Sequence, residues 1–177
     1  MPGKIVLRFE LFLQAPLTQV YRAFTNRIGF EEWLCDSASV RPQPGGRVYL
    51  SWNTGYASSG HFIKIEPHKK VIFTWRGPAD PAATLVTVTF KKEGPGTALK
   101  LVHEGIWEGK KWAAAEQEIK KGWVAALRNL SAVLEAGPDP RITTRPMLGI
   151  YLGDPDPSLI KSTGAPVESG VRLEGVI

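Results

Sequence analysis

The sequence predicts an α+β fold, a curved antiparallel sheet covered by one long C-terminal helix. Three observations predict it. Short runs of period-two alternation crowd residues 47–104, and the connectors between them, "NTGYASSG", "EPHKK", "GPADPAA" and "KEGPG", are too short and turn-like for anything but antiparallel neighbours. One long helical period then runs from about Gly109 to Ala136 and stops at Gly137-Pro138. A strand and two short helices come before the sheet, which completes a layered strand–helix–sheet–helix order.

Each element has its own signal. Residues 4–13 alternate as a strand, with Ile5, Leu7, Phe9 and Leu11 on one face. "APLTQVYRAFTN" opens with Pro16, suited to a first helical position, and spaces Leu17, Val20, Tyr21 and Phe24 as one apolar stripe. "RIGFEEWL" is a second short helix with Phe30, Trp33 and Leu34 inward. "QPGG" breaks the chain before the sheet. Strand parity then places Val48, Leu50 and Trp52 together; His61, Ile63 and Ile65; Val71, Phe73 and Trp75; Val86, Val88 and Phe90; and Leu99, Leu101 and His103. On the long helix, Trp112, Ile119, Trp123, Leu130 and Leu134 share one side, opposite Lys121, Arg128 and Glu135.

Composition narrows the function. At 177 residues, 43% hydrophobic and 22% charged, the chain can build a real core in one domain plus a short extra piece. The net charge of +5 is spread over scattered pairs such as Lys69-Lys70 and Lys110-Lys111, with no basic block or nucleic-acid motif, so nucleic acid is not an expected partner. A single cysteine, Cys35, forbids an internal disulfide, and no apolar run reaches membrane-spanning length. With no signal peptide in the charge-broken start, a reducing cytoplasm is the expected location. Three histidines and one cysteine without ligand spacing give no metal site, and "PGGR" lacks the lysine and helix of a phosphate loop, so no cofactor is expected. Cys35 reads as a small buried residue.

Six tryptophans are many for this length. Trp33, Trp52, Phe73, Trp75, Trp107, Trp112 and Trp123 come from different elements and converge on the gap between sheet and helix. They either fill a core or wall a cavity. His61 and His103 fall on the predicted concave face, as polar anchors for a ligand or as hydrogen-bonded core groups. Gly122, mid-helix beside Trp123, costs roughly 1 kcal/mol against Ala. With Ala115 and Ala126 it forms a small-residue stripe that lets the sheet or a ligand approach. Gly122→Leu is therefore expected to damage packing or ligand uptake.

The order of elements resembles the helix-grip fold of the START/SRPBCC superfamily. "PGGRVYLSW", "SGHFIKIEPHKKVIFTWRG", "TLVTVTFKKEGPGTALKLVHEG" and "GWVAALRNLSAVLE", after the opening "APLTQVYRAFTN", resemble the successive motifs of the activator-of-heat-shock-protein-90-ATPase C-terminal-like family over about residues 4–136. The resemblance implies a cavity between sheet and helix. Superfamily relatives bind lipids, sterols, hormones and polyketides, and some are cyclases or dehydratases. The eukaryotic co-chaperone that names the family carries a further N-terminal domain for which there is no room upstream here, so its role is not inherited from the name.

The expected function is thus non-catalytic binding of a small apolar or amphipathic ligand by a domain at 1–137. The cavity residues would be Trp33, Trp52, His61, Phe73, Trp75, His103, Trp112, Ile119, Gly122 and Trp123. One alternative is a co-chaperone-like interaction module with a protein partner, coupled to a peptide-binding domain in the tail. Another is a cyclase- or dehydratase-type enzyme using His61 or His103 as acid or base, for which Glu31, Glu32 and Asp36 are candidate carboxylates at the pocket mouth that nothing in the sequence fixes there. Residues 138–177 read as a linker and appendage with two strand-like pieces separated by a polar stretch. "RPMLGIYLGD" and "SGVRLEGVI" resemble the beginning of a PDZ domain of bacterial high-temperature-requirement proteases, which implies a peptide-carboxylate loop at Met147, Leu148, Gly149 and Ile150. The chain ends where such a domain would have barely begun, so the segment reads as truncated or vestigial.

Overall fold

A computed structural model describes residues 3–137, 139, 141, 150–153, 157–164 and 172–176. The chain divides into two compact units, Met1–Thr143 and Thr144–Ile177. In the first, β1 (Lys4–Leu13), α1 (Leu17–Ala23) and α2 (Arg27–Trp33) are followed by β2 (Ser37–Val40), β3 (Arg47–Ser51), β4 (Ala57–Glu66), β5 (Lys70–Trp75), β6 (Thr84–Glu93) and β7 (Gly96–Trp107), then α3 (Ala113–Ala136). The strands form one seven-stranded antiparallel sheet in the order β1-β7-β6-β5-β4-β3-β2. This is the predicted α+β helix-grip architecture, and its core combines the inward residues of the sheet with one face of α3.

Local chemistry explains the elements. Asn26 caps α2, its side chain accepting from Ile28 N at 2.9 Å and Gly29 N at 3.3 Å. α3 buries Ala115, Ile119, Trp123, Leu127 and Leu130, spaced at three and four residues. It ends where Gly137 takes φ 94°, a backbone turn that glycine adopts without penalty. Glu135 tethers that end to the sheet by accepting from Gln14 N at 3.1 Å.

Three local expectations are corrected. β2 was hidden because "SASV" is small and half polar, and it gains its strand identity from pairing with β3. β4 carries a register shift between Phe62 and Lys64, so Ile63 is an extra residue. One extra residue inverts the alternation. Phe62 is therefore fully buried, while Ile63 is 47% exposed and His61 faces outward beside Thr74 (Oγ1 to His61 Nδ1, 3.3 Å). Only Ile65, beyond the shift, lies on the expected face. The strand turns there from pairing with β3 to pairing with β5, and Gly60 permits it, since a Cβ at that position would strike the Thr74 carbonyl. Third, the tail has more than two strand-like pieces. The second unit pairs β8 (Ile150–Gly153) antiparallel with β9 (Arg172–Val176), and α4 (Pro157–Thr163) lies between them in sequence, where a polar connector was expected. Met147, Leu148 and Gly149 lie outside the described residues, and Ile150 opens β8.

Candidate functional site

The candidate site is a pocket of about 360 Å3 in the first unit, within the range of small-molecule sites. Trp33, Trp52, Trp75 and Trp123 line it, together with Leu34, Ile119, Gly122, Ala125 and Ala126. The remaining lining is polar: Thr54, Tyr56, Glu118, Asn129 and Arg141.

All four tryptophans spend their indole N–H on the protein. Trp33 donates to the Ala23 carbonyl (3.0 Å), Trp52 to the Leu34 carbonyl (2.7 Å), Trp75 to the Tyr56 hydroxyl (3.3 Å) and Trp123 to His103 Nδ1 (2.8 Å). The indoles thus contribute ring surface rather than hydrogen-bond donors. They also brace one another, with Trp75 centred 5.4 Å from Trp123 and 6.1 Å from Trp52 at tilted angles favoured by aromatic pairs.

His103 holds this wall in place. It is fully buried. Because Trp123 donates to Nδ1, the neutral ring carries its proton on Nε2, which donates to Thr84 Oγ1 at 2.6 Å. Thr84 Oγ1 passes its own proton to the Trp75 carbonyl at 2.9 Å. Every polar atom of this relay is satisfied, and it fixes two pocket tryptophans from behind. Burial pulls the His103 pKa down to about 3, so the ring is neutral at ordinary pH.

The far side of the pocket is built on the exit of α2, whose last carbonyls have no partner within the helix. The Phe30 carbonyl accepts from Leu34 N and Cys35 N. The Glu31 carbonyl accepts from Arg141 Nη2 (2.9 Å), and the Trp33 carbonyl from Asn129 Nδ2 (2.7 Å). The Leu34 carbonyl takes Trp52 Nε1. The same bonds that terminate α2 therefore position Trp33, Leu34, Trp52, Asn129 and Arg141 around the pocket. Arg141 is itself held by Asp139, with Nη2 2.8 Å from Oδ2. Burial works to raise the Asp139 carboxyl, but its hydrogen bonds from Arg141 and the Arg141 charge outweigh that and hold it below the ordinary carboxylate value.

The sequence-predicted residues divide cleanly. Trp33, Trp52, Trp75, Ile119, Gly122 and Trp123 meet at the pocket. Phe73 does not; it is fully buried between Phe30 and Phe62, with ring centroids 6.4 and 6.0 Å away. Trp112 is buried at the start of α3 and is not part of the lining. His61 lies on the outer surface because of the β4 shift, and His103 sits behind the wall. Neither histidine is thus placed as an acid or base for a pocket ligand, and the His103 ring bonds to Thr84 and Trp123 rather than to a carboxylate. Cys35 is fully buried, and burial pushes its thiol up to about 12, so it is no nucleophile. A Cβ built on Gly122 meets nothing within 4 Å, so the glycine opens onto the pocket rather than admitting the sheet.

Leu34, Thr54, Tyr56, Glu118, Ala125, Ala126, Asn129 and Arg141 complete the lining without having been singled out in the sequence. Asn129 left a signal, a buried amide on the apolar side of a helix, which needs a specific partner. Arg141 left none, since it follows two prolines in what reads as a tail.

Apolar side chains exposed among the described residues are dispersed. Phe12, Ile28, Ile63, Trp107 and Val124 belong to five different elements. Trp107 is covered by Lys4, whose Nζ lies 5.2 Å from the ring centre. No helix among the described residues is long and apolar enough to cross a membrane.

Comparison with solved structures gives the same fold. Protein MLL2253 from Mesorhizobium loti aligns with TM-score 0.66 at 24% identity, over 75% of this chain and 98% of its own. The Aha1 dimer from Colwellia psychrerythraea aligns with TM-score 0.65 at 19% identity, over 75% and 98%. DynU16, from the dynemicin biosynthetic locus, aligns with TM-score 0.67 at 18% identity, over 84% of this chain and 53% of its own. A search of curated proteins gives no match. Residues 14–135, most of the chain and all of the pocket lining but Arg141, match the family model for Activator of Hsp90 ATPase homolog 1-like protein, and the chain belongs to that family.

Proposed function

We propose that the protein binds a small apolar or amphipathic ligand in the pocket between α3 and the sheet, without chemistry on it. One observation carries this reading. Four tryptophans from α2, β5, α3 and the end of β3 line a pocket of about 360 Å3, and each has its N–H already bonded inside the protein. A wall of that kind gains most from covering apolar surface, at about 25 cal/mol per Å2 removed from water. DynU16, a protein of similar fold from a biosynthetic locus, is consistent with a small-molecule role. The ligand-binding domain runs from β1 to α3, and Arg141 from the segment after it joins the pocket lining.

The test is a titration with an uncharged, environment-sensitive dye, comparing wild type with Gly122→Leu. A Leu side chain at Gly122 would project into the pocket, where nothing opposes its Cβ. Saturable one-to-one binding by wild type, weakened at least tenfold in the variant with the unfolding midpoint kept, is the expected result. Equal binding by both proteins would refute the reading.

A further inference from the structure

From the residues outside the family match, we infer that Arg141 gives the pocket a polar subsite that selects aromatic ligands bearing a neutral oxygen acceptor, such as a ring carbonyl. The inference rests on the ligand-binding reading above and narrows it to a chemical class.

Arg141 follows the matched segment 14–135 and lines the pocket. Its guanidinium is clamped on one edge. Nε donates to both Asp139 oxygens (3.2 and 3.0 Å), and Nη2 reaches Asp139 Oδ2 (2.8 Å) and the Glu31 carbonyl (2.9 Å). The other edge is different. Nη1 is buried and has no hydrogen-bond partner, alone among buried side-chain nitrogens and oxygens of the described residues. Leaving a buried charged donor unpaired is costly, so such a group marks a place where an acceptor belongs. The other contacts of Arg141 hold its plane, so the direction of the Nη1 donor is fixed before any ligand binds.

The charge around the donor decides the kind of acceptor. Asp139 neutralises Arg141, and Glu118 adds a negative charge to the lining. An anionic ligand would meet no net positive field, whereas a neutral carbonyl gains the hydrogen bond without repulsion from Glu118. The Tyr56 hydroxyl is a second donor in the lining. It accepts from Trp75 and keeps its own proton, since burial pushes its pKa up to about 12. The flat tryptophan faces supply the aromatic preference.

A matched probe set tests this on the full chain: 2-ethylnaphthalene, 2-acetylnaphthalene, which replaces one methylene by a carbonyl, and 2-naphthoate. Wild type should bind the acetyl compound at least tenfold tighter than the ethyl compound, and naphthoate no tighter than the acetyl compound. Arg141→Met should lose the acetyl preference while holding the ethyl compound as wild type does. Should Arg141→Met unfold, because Asp139 loses its partner, the double variant Asp139→Asn/Arg141→Met removes both charges and gives the same readout. Equal affinity for acetyl and ethyl probes in wild type, a preference that survives in the variant, or tighter binding of naphthoate would each overturn the subsite while leaving the pocket reading standing. Failure of wild type to bind any of the three would overturn the pocket reading and the subsite with it.

Discussion

His103 shows how a single residue can matter for a site that it does not line. It has no charged partner among the described residues, and burial lowers its pKa to about 3 from an unfolded value near 6.5. Between those values the unfolded chain binds a proton that the folded one refuses. The neutral ring's contribution to stability is therefore fully present above pH ~6.5 and is lost as pH falls toward 3. From this group alone, stability at pH 5 should be about 2 kcal/mol lower than at pH 7.5. Denaturant melts at the two pH values check the figure, and His103→Gln should remove most of the difference; an unchanged slope in the variant would assign it elsewhere. Trp123→Phe leaves His103 Nδ1 buried and unpaired, so it should cost about 1–3 kcal/mol beyond the small change in ring size. Gly122 behaves in the opposite sense. Because a Cβ there meets nothing, Gly122→Ala should raise stability by about 0.5–1 kcal/mol through helix propensity, read as a higher unfolding midpoint. A fall would mean that the backbone near Trp123 needs the glycine for another reason.

Elements read well from the sequence wherever one period governed them. β5, β6 and β7 present Val71, Phe73, Val86, Val88, Leu99 and Leu101 inward as simple alternation requires, and α3 buries Trp112, Ile119, Trp123 and Leu130 as its projection requires. β4 departs from its pattern because a bulge leaves no mark in hydrophobicity: "GHFIKIE" sets Ile63 and Ile65 in one parity and only Phe62 among apolar residues in the other. The pairing partners chose, placing Phe62 opposite Phe73. Phe62→Ala should accordingly cost about 3–5 kcal/mol, whereas Ile63→Thr, at an exposed position, should stay within ~0.5 kcal/mol. The reverse order in chemical denaturation would mean that the shift in β4 is misplaced. The exit of α2 was illegible for another reason. Its carbonyls are satisfied by Asn129, Arg141 and Trp52, from 18 to 110 residues away, and no local pattern announces such partners.

At the scale of the whole molecule, the aromatic residues scattered through the sequence sort into three groups. Phe73 and Trp112 fill core, Trp107 lies on the outer surface, and Trp33, Trp52, Trp75 and Trp123 wall a pocket. Convergence on the gap between sheet and helix could be foreseen from strand parity and the helical projection. Whether that gap is filled or hollow depends on side-chain volumes summed across α2, β5, α3 and the loops beside them, which no single segment encodes. The small residues of α3, Gly122, Ala125 and Ala126, leave the space that the tryptophans surround. Whether this space receives a ligand is read from the six indole N–H resonances in an NMR titration with 2-acetylnaphthalene. Trp33, Trp52, Trp75 and Trp123 should shift together along one saturating curve, Trp107 and Trp112 should stay in place, and Gly122→Leu should abolish the shifts. Unmoved pocket indoles at saturating probe, or equal shifts of all six, would contradict it.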